Sequence, residues 1–293
     1  MVGQHGWRQL PMLALFLLPS LAALLLFVIG PLVASLGISV TDWNLLRPPH
    51  LVGLANYREL AGSADVRAAV GHTLLFIALY LPTVLVLGLG LALLLNRPLR
   101  GLAFFRTAFF MPVVSSWVAV ALMWKWLLNP AFGLVDYLLG LAHLPQPGWW
   151  ADPSWALPSV IVASVWKDLG FVMVLLLAGL QNIGPQYYEA AMLDGAGAWA
   201  RFRYITLPLL SPALFFVLVI SLINSFQVFD QVWVMTGGGP GGASSVLVEQ
   251  IVRNAFDYQR MGYASALSWM LFAIIFAITA GQFVAQRRWV VYE

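Results

Sequence analysis

Six apolar runs, each long enough to cross a bilayer, constrain this chain more than any other feature: residues 10–38, 70–95, 104–128, 156–180, 209–235 and 261–285. About 20 apolar residues in a helix span the ~30 Å hydrocarbon core. Within lipid every backbone N–H and C=O needs a partner inside the protein, which helices supply segment by segment. The expectation is an all-α polytopic membrane protein with six transmembrane helices. Composition agrees: 61% of residues are hydrophobic and 9% charged, whereas a soluble domain carries roughly a quarter charged. The first run contains Pro19 and Pro31, which interrupt it. It is longer than a signal-peptide core of roughly 7–15 residues and reads as an uncleaved anchor.

Between the runs, residues 41–67 read as an extramembrane segment with interfacial aromatics, 129–155 as a loop rich in Pro, Gly and Trp, and 241–260 as a polar extramembrane stretch. With both termini inside, the cytoplasmic side holds Arg8, Arg97, Arg100, Arg106, Arg201, Arg203, Arg287 and Arg288, against Glu189, Asp194 and Glu293. The other seven basic and nine acidic residues lie outside or within spans. Such a basic excess marks cytoplasmic connections, so both termini and the connection at 182–208 are expected in the cytoplasm.

Several chemistries are excluded. The net charge of +3 comes from dispersed residues, which argues against nucleic acid. There is no cysteine, and His5, His50, His72 and His143 are scattered, none four residues from another, so no metal site is expected. No Ser/His/Asp or carboxylate-pair constellation falls at one depth, and no nucleotide-binding motif is present. Catalytic residues are therefore none, and the chain is not expected to hydrolyse ATP. No internal repeat is visible, which weighs against a secondary transporter built from inverted repeats.

The connection at 182–208 is the most polar long stretch between two apolar ones. Pro185 suits a first helical position. Glu189, Ala190, Ala191, Met192 and Leu193 favour helix, and Asp194-Gly195 ends it. Trp199 to Tyr204 make a second short helix that stops at Pro208, and Leu207-Pro208 restarts a helix into the membrane. Glu189-Ala190-Ala191, three residues, Gly195, nine residues, then Ile205-Thr206-Leu207-Pro208 resembles the signature (EAA) loop of ABC importer permeases. The resemblance implies a cytoplasmic coupling helix docking into a cleft of a separate ATPase. Its coupling residues would be Glu189, Ala190, Ala191, Asp194, Gly195, Ile205, Leu207 and Pro208.

The fifth run carries polar residues at helical spacing. At 100° per residue Asn224, Gln227 and Gln231 share a ~60° arc. Ser221 extends it, Ser225 is taken with it, and Leu222, Phe226, Phe229 and Trp233 cover the opposite side. Amides are unfavourable in lipid, so this face meets protein or a wet cavity. Two roles fit: a sugar pathway, where amides meet hydroxyls and aromatics meet ring faces, or glue between helices. Asp230, off the stripe, is a pathway candidate or an interfacial cap. In the fourth run Lys167 and Asp168 sit about ten residues deep, with Gly170 and Phe171 beside them. They form the outer wall of a pathway or an ion pair holding the bundle. Lys125 reads as snorkelling to the interface.

The triplet in Val234-Met235-Thr236-Gly237-Gly238-Gly239-Pro240 lacks a Gly-Lys-Ser/Thr ending and reads as a sharp helix end. Residues 226–240, with Gly53-Leu54-Ala55-Asn56-Tyr57 and Gly262-Tyr263-Ala264-Ser265-Ala266, resemble the carbohydrate-importing, maltose-type branch of these permeases. The resemblance covers nearly the whole chain but lacks the large inserted domain of the longest members. It implies a type I ABC importer permease fold, one permease domain over 1–293, in the cell (inner) membrane. The implied partners are a second related permease, two ABC ATPase subunits that bind ATP and Mg, and an extracytoplasmic sugar-binding protein. No cofactor is expected in this chain. Glycerol phosphate or another small polar solute stays open as cargo, though Lys167 alone offers itself to a phosphate. An ion-coupled secondary carrier would want a membrane-embedded acid relay, which the spans do not show.

Overall fold

The computed structural model describes residues 6–97 and 100–291, with side chains from residue 15 onward. Assignments resting on His5, Pro98 and Glu293, and on the side chain of Arg8, lie outside the described residues. Among the described residues every regular element is helical, apart from an isolated antiparallel bridge between Thr41 and Leu51. Four helices are long and apolar enough to cross a membrane, or six if two sharply bent helix pairs each count as one span. The chain divides into two compact units, one comprising residues up to 62 with 251–270, the other 63–250 with 271–291.

In the first unit, α1 (Gly6–Leu24) and α2 (Gly30–Ser39) are joined by a π-helical turn at Leu25–Ile29. The expected interruption is absent: the helix runs through both prolines. Pro31 has no N–H to give, and the Gly30 N–H reaches five residues back to Leu25, so the turn widens rather than breaks. Beyond it, α3 (Ala55–Gly62) is pinned by Asn56, whose buried amide donates to the Ser39 and Thr41 carbonyls at 2.9 and 2.8 Å. Gly262 packs on the same turn, where a Cβ would sit 1.9 Å from the Thr41 oxygen. The two short motifs at 53–57 and 262–266 thus meet, and Arg260 closes the junction with a 2.6 Å ion pair to Glu59.

The second unit is built on its own central helix. α4 (Ala64–Leu95) begins six residues before the expected start, because the Ser63 hydroxyl caps it by accepting from Val66 N–H. The third apolar run is two helices, α5 (Leu102–Val114) and α6 (Trp117–Leu127), meeting at 101°. Ser115 and Ser116 are extended there, just beyond Pro112. The loop at 129–155 holds α7 (Leu134–Leu141), fixed where the Trp149 indole and the Gln146 amide both donate to buried Asp136. α8 (Pro153–Gln181), capped by Asp152, is 61% buried over its apolar window, against 22% for α4. Small residues allow that centrality. Gly170 meets the α5 backbone at Phe109, and Gly88 of α4 meets Val172.

The connection at 182–208 holds α9 (Pro185–Leu193), α10 (Ala198–Arg201), a π turn at Phe202–Thr206 and α11 (Leu207–Leu209). The helix passes through Pro208 instead of stopping there, by the same device as at Pro31: the Leu207 N–H reaches back to Phe202. The bend, 63°, falls at Leu210. Pro212 cannot donate to the Pro208 carbonyl, and the Ser211 hydroxyl takes that place at 2.6 Å. α12 (Ser211–Phe226) then ends early and α13 (Asp230–Met235) follows after a three-residue break. The stretch after the glycine triplet is packed rather than a plain polar loop. α14 (Leu247–Val252) buries Leu247, whose N–H donates to Thr73, and Glu249, which accepts from Ser245. α15 (Met261–Ala285) keeps the bounds the sequence suggested.

Candidate functional site

The break between α12 and α13 opens a cavity of about 480 Å³. Asn224, Ser225, Gln227, Val228, Phe229, Asp230 and Gln231 line it from the break, Phe76 and Tyr80 from α4, Trp117 from α6, Asp168 from α8 and Val248 from α14. The helical stripe drawn from the sequence does not exist as drawn, since residues 227–229 leave the helix. The polar residues converge nonetheless, because the break turns its side chains and backbone inward. Phe229, assigned to the apolar side, and Asp230, placed off the stripe, both join the lining. Ser221, Lys167, Gly170 and Phe171 stay out of it. Ser221 is buried and its carbonyl accepts from Ser225, while Gly170 serves helix packing.

Lys167 and Asp168 do not pair with each other in a common role. The Lys167 ammonium donates to the Val113 carbonyl at 3.1 Å and lies 4.9 Å over the Trp117 ring. Val113 sits at the end of α5, where the break leaves carbonyls without helical partners, and the lysine fills one. Lys125 acts alike. It donates to the Val234 carbonyl at the end of α13 and lies over Trp150, so it is engaged inside the bundle rather than snorkelling. Asp168 accepts from the Tyr80 hydroxyl at 2.7 Å. Two carboxylates, Asp168 and Asp230, therefore share one cavity, contrary to the expectation that none would fall together. Gln231 keeps part of the glue role, with its amide 3.4 Å from the Ser164 hydroxyl.

Sequence reasoning missed Phe76, Tyr80 and Trp117. Phe76 and Tyr80 are four residues apart and stack at 5.2 Å. A tyrosine hydroxyl in the middle of an apolar span was the available signal, since it needs a partner there. The lining offers carboxylate, amide and hydroxyl groups beside aromatic faces. That set can hydrogen-bond a polyhydroxylated solute and pack against its C–H surface.

The second feature is the connection 182–208. Gly184 precedes Pro185, which takes the first helical position as expected. At the other end Gly195 has φ +77°, with its N–H on Met192 and the next N–H, of Ala196, on Ala191 at 2.8 Å. This paired pattern closes a helix through a left-handed glycine. Tyr188 bonds Thr206 at 3.1 Å, bracing the first helix against the second, a tie the sequence did not reveal. Glu189, Ala190, Asp194 and Gly195 are exposed, Ala191, Ile205, Leu207 and Pro208 half-buried. Leu193 is 90% exposed, and Trp199 and Tyr204 73% and 75%. So much apolar surface on a connection between spans marks an interaction face.

Membrane-length helices, a polar cavity at a helix break and a polar connecting loop that exposes Leu193, Trp199 and Tyr204 fit a membrane transport subunit. Residues 84–290 match the family described as binding-protein-dependent transport system inner membrane component, and the chain belongs to that family. It is an ABC transporter permease of the inner membrane. It is 37% identical to the probable ABC transporter permease protein YurN of Bacillus subtilis, over 92% of this chain and 93% of that one. It is 33% identical to the trehalose/maltose transport system permease protein MalF of Thermococcus litoralis, over 93% and 92%. In structure it resembles a chain of a bacterial ABC transporter involved in the import of the acidic polysaccharide alginate, with TM-score 0.84, 26% identity and 96% of each chain covered.

Proposed function

We propose that this chain is one of two permease subunits of an ATP-driven saccharide importer. The observation that carries it is the cavity at the α12–α13 break, where Asn224, Gln227 and two carboxylates face Phe76, Tyr80 and Trp117. The bent pairs count as single spans, giving six, with both termini and the 182–208 connection in the cytoplasm and residues 1–293 acting as one permease domain. A second permease supplies the other half of the pathway. A binding protein delivers cargo outside, and two ATPase subunits bind ATP and Mg inside. The trehalose/maltose transport system to which the MalF relative belongs supports the cargo class.

Coupling runs through α9. The exposed Glu189–Gly195 segment seats in the ATPase cleft, and the bond from Tyr188 to Thr206 passes its motion to α11 and α12 as a lever. The two alanines permit close approach, and Gly195 fixes the turn. The test is co-purification of the chain with an ATPase subunit, then ATPase activity in the reconstituted complex with Glu189 or Gly195 replaced. Saccharide-stimulated hydrolysis should fall in both variants while the complex stays assembled. Normal stimulation in both would remove the lever role.

A further inference from the structure

We propose that this half of the pathway selects saccharides by charge. It accepts neutral and amine-bearing sugars and rejects those carrying a carboxylate, sulfonate or phosphate, with Asp168 and Asp230 as the specificity-determining residues. The inference rests on the saccharide-importer reading above.

Among the described residues, the charged groups lining the cavity are Asp168 and Asp230, and no Arg, Lys or His lines it. Lys167 neighbours Asp168 in sequence, yet its ammonium is spent on the Val113 carbonyl and the Trp117 face. Lys125 is likewise held by Val234 and Trp150. Neither ammonium lines the cavity; Lys167 attracts its neighbour Asp168 from outside the lining, so Asp230 carries the less compensated charge. Tyr80 occupies one oxygen of Asp168, Oδ2. The exposed Asp230 carboxylate takes no hydrogen bond or ion pair from the described residues. Acceptor capacity therefore points into the cavity.

An anionic sugar would meet like charge in a partly desolvated space and find no guanidinium fork, the group that recognises carboxylate or phosphate. A neutral sugar donates its hydroxyls to the two carboxylates and to the amides of Asn224 and Gln227. An ammonium on the sugar gains charge-assisted bonds to the same carboxylates, and the aromatic faces of Tyr80, Trp117 and Phe229 favour a cation as well.

The experiment uses the purified complex of this chain with its partner permease and ATPases, without the binding protein, which would impose its own selection. Three disaccharides are titrated at millimolar concentration and read by tryptophan fluorescence: maltose, a glucosamine disaccharide and a galacturonate disaccharide. The amine sugar should bind about fivefold more tightly than maltose and the uronate about tenfold more weakly, as expected for partly screened charge pairs. Asp168→Asn, which keeps an acceptor for Tyr80, and Asp230→Asn, at an exposed position, should each narrow the spread. The spread should also shrink with added salt. Equal binding of maltose and the uronate by the wild type overturns this proposal alone. So does an unchanged spread in the exposed-site variant Asp230→Asn. If none of the three binds, the saccharide reading falls along with it.

Discussion

Gly170→Ala probes the packing that centres α8 in the second unit. A Cβ at residue 170 would lie 2.0 Å from the Phe109 carbonyl oxygen, 2.7 Å from its carbon and 2.9 Å from the Phe110 Cα. Ordinary contact begins at 3.4 Å, so α5 and α8 must part by the shortfall between 2.0 and 3.4 Å. Every opposing atom is backbone, and none can swing aside as a flexible side chain would. Overpacking of this kind costs about 1–3 kcal/mol, and a backbone obstacle argues for the upper end. At about 2–4 °C per kcal/mol for a chain approaching this size, the midpoint of thermal unfolding of the purified complex should fall by roughly 5–10 °C. Gly90→Ala is the control. A Cβ there meets nothing within 4 Å, and alanine in a helix interior gains roughly 0.5–1 kcal/mol. Equal midpoints for the two variants would refute the packing account. Unchanged stability with reduced transport in Gly170→Ala would return Gly170 to the pathway role its sequence position suggested.

Lys167→Met strands the Val113 carbonyl in the bundle, and should destabilise the complex by about 1–3 kcal/mol in the same unfolding assay. Tyr80→Phe removes the donor to Asp168 and should slow saccharide transport severalfold in vesicles without loss of assembly; complete indifference would deny Tyr80 a place in the pathway. Asn224→Ala and Gln227→Ala should lower transport with the complex intact on size exclusion, whereas failed assembly would favour the glue role. Asp152, outside the spans, is held below the usual carboxylate range by the Ser154 hydroxyl and then by its backbone N–H. A depressed carboxyl contributes stability above its unfolded value and loses it as pH falls through the folded one. Protection of the first turn of α8 against hydrogen exchange should therefore drop in acid in the wild type, and much less in Asp152→Asn.

The loop at 182–208 was legible because its structure is local. Pro185 starts the helix, Gly195 takes the left-handed turn, and both follow from backbone preferences at single residues. Membrane-length runs were legible for a similar reason, since burial in lipid needs only composition. The helix breaks were not. Residues 227–229 are Gln-Val-Phe, without glycine or proline, and the chain leaves the helix there while Val228 stays buried. The periodic stripe therefore named amides that do line the cavity, through the wrong geometry, and it could not place Asp230. The lysines misled for the same cause: Lys125 near a span's end reads as snorkelling, and Lys167 deep in its span as a pathway group or an ion-pair partner, until a broken neighbouring helix presents each with a carbonyl. Continuation through Pro31 and Pro208 was hidden as well, because each relies on a π turn, which has no residue signature of its own.

The most direct test of the central claim is uptake of labelled maltose into vesicles that hold the chain with its partner permease, ATPases and binding protein. Uptake should require ATP on the ATPase side and vanish when the ATPase is omitted, with no response to an imposed proton or sodium gradient. Gradient-driven uptake without ATP would contradict the account.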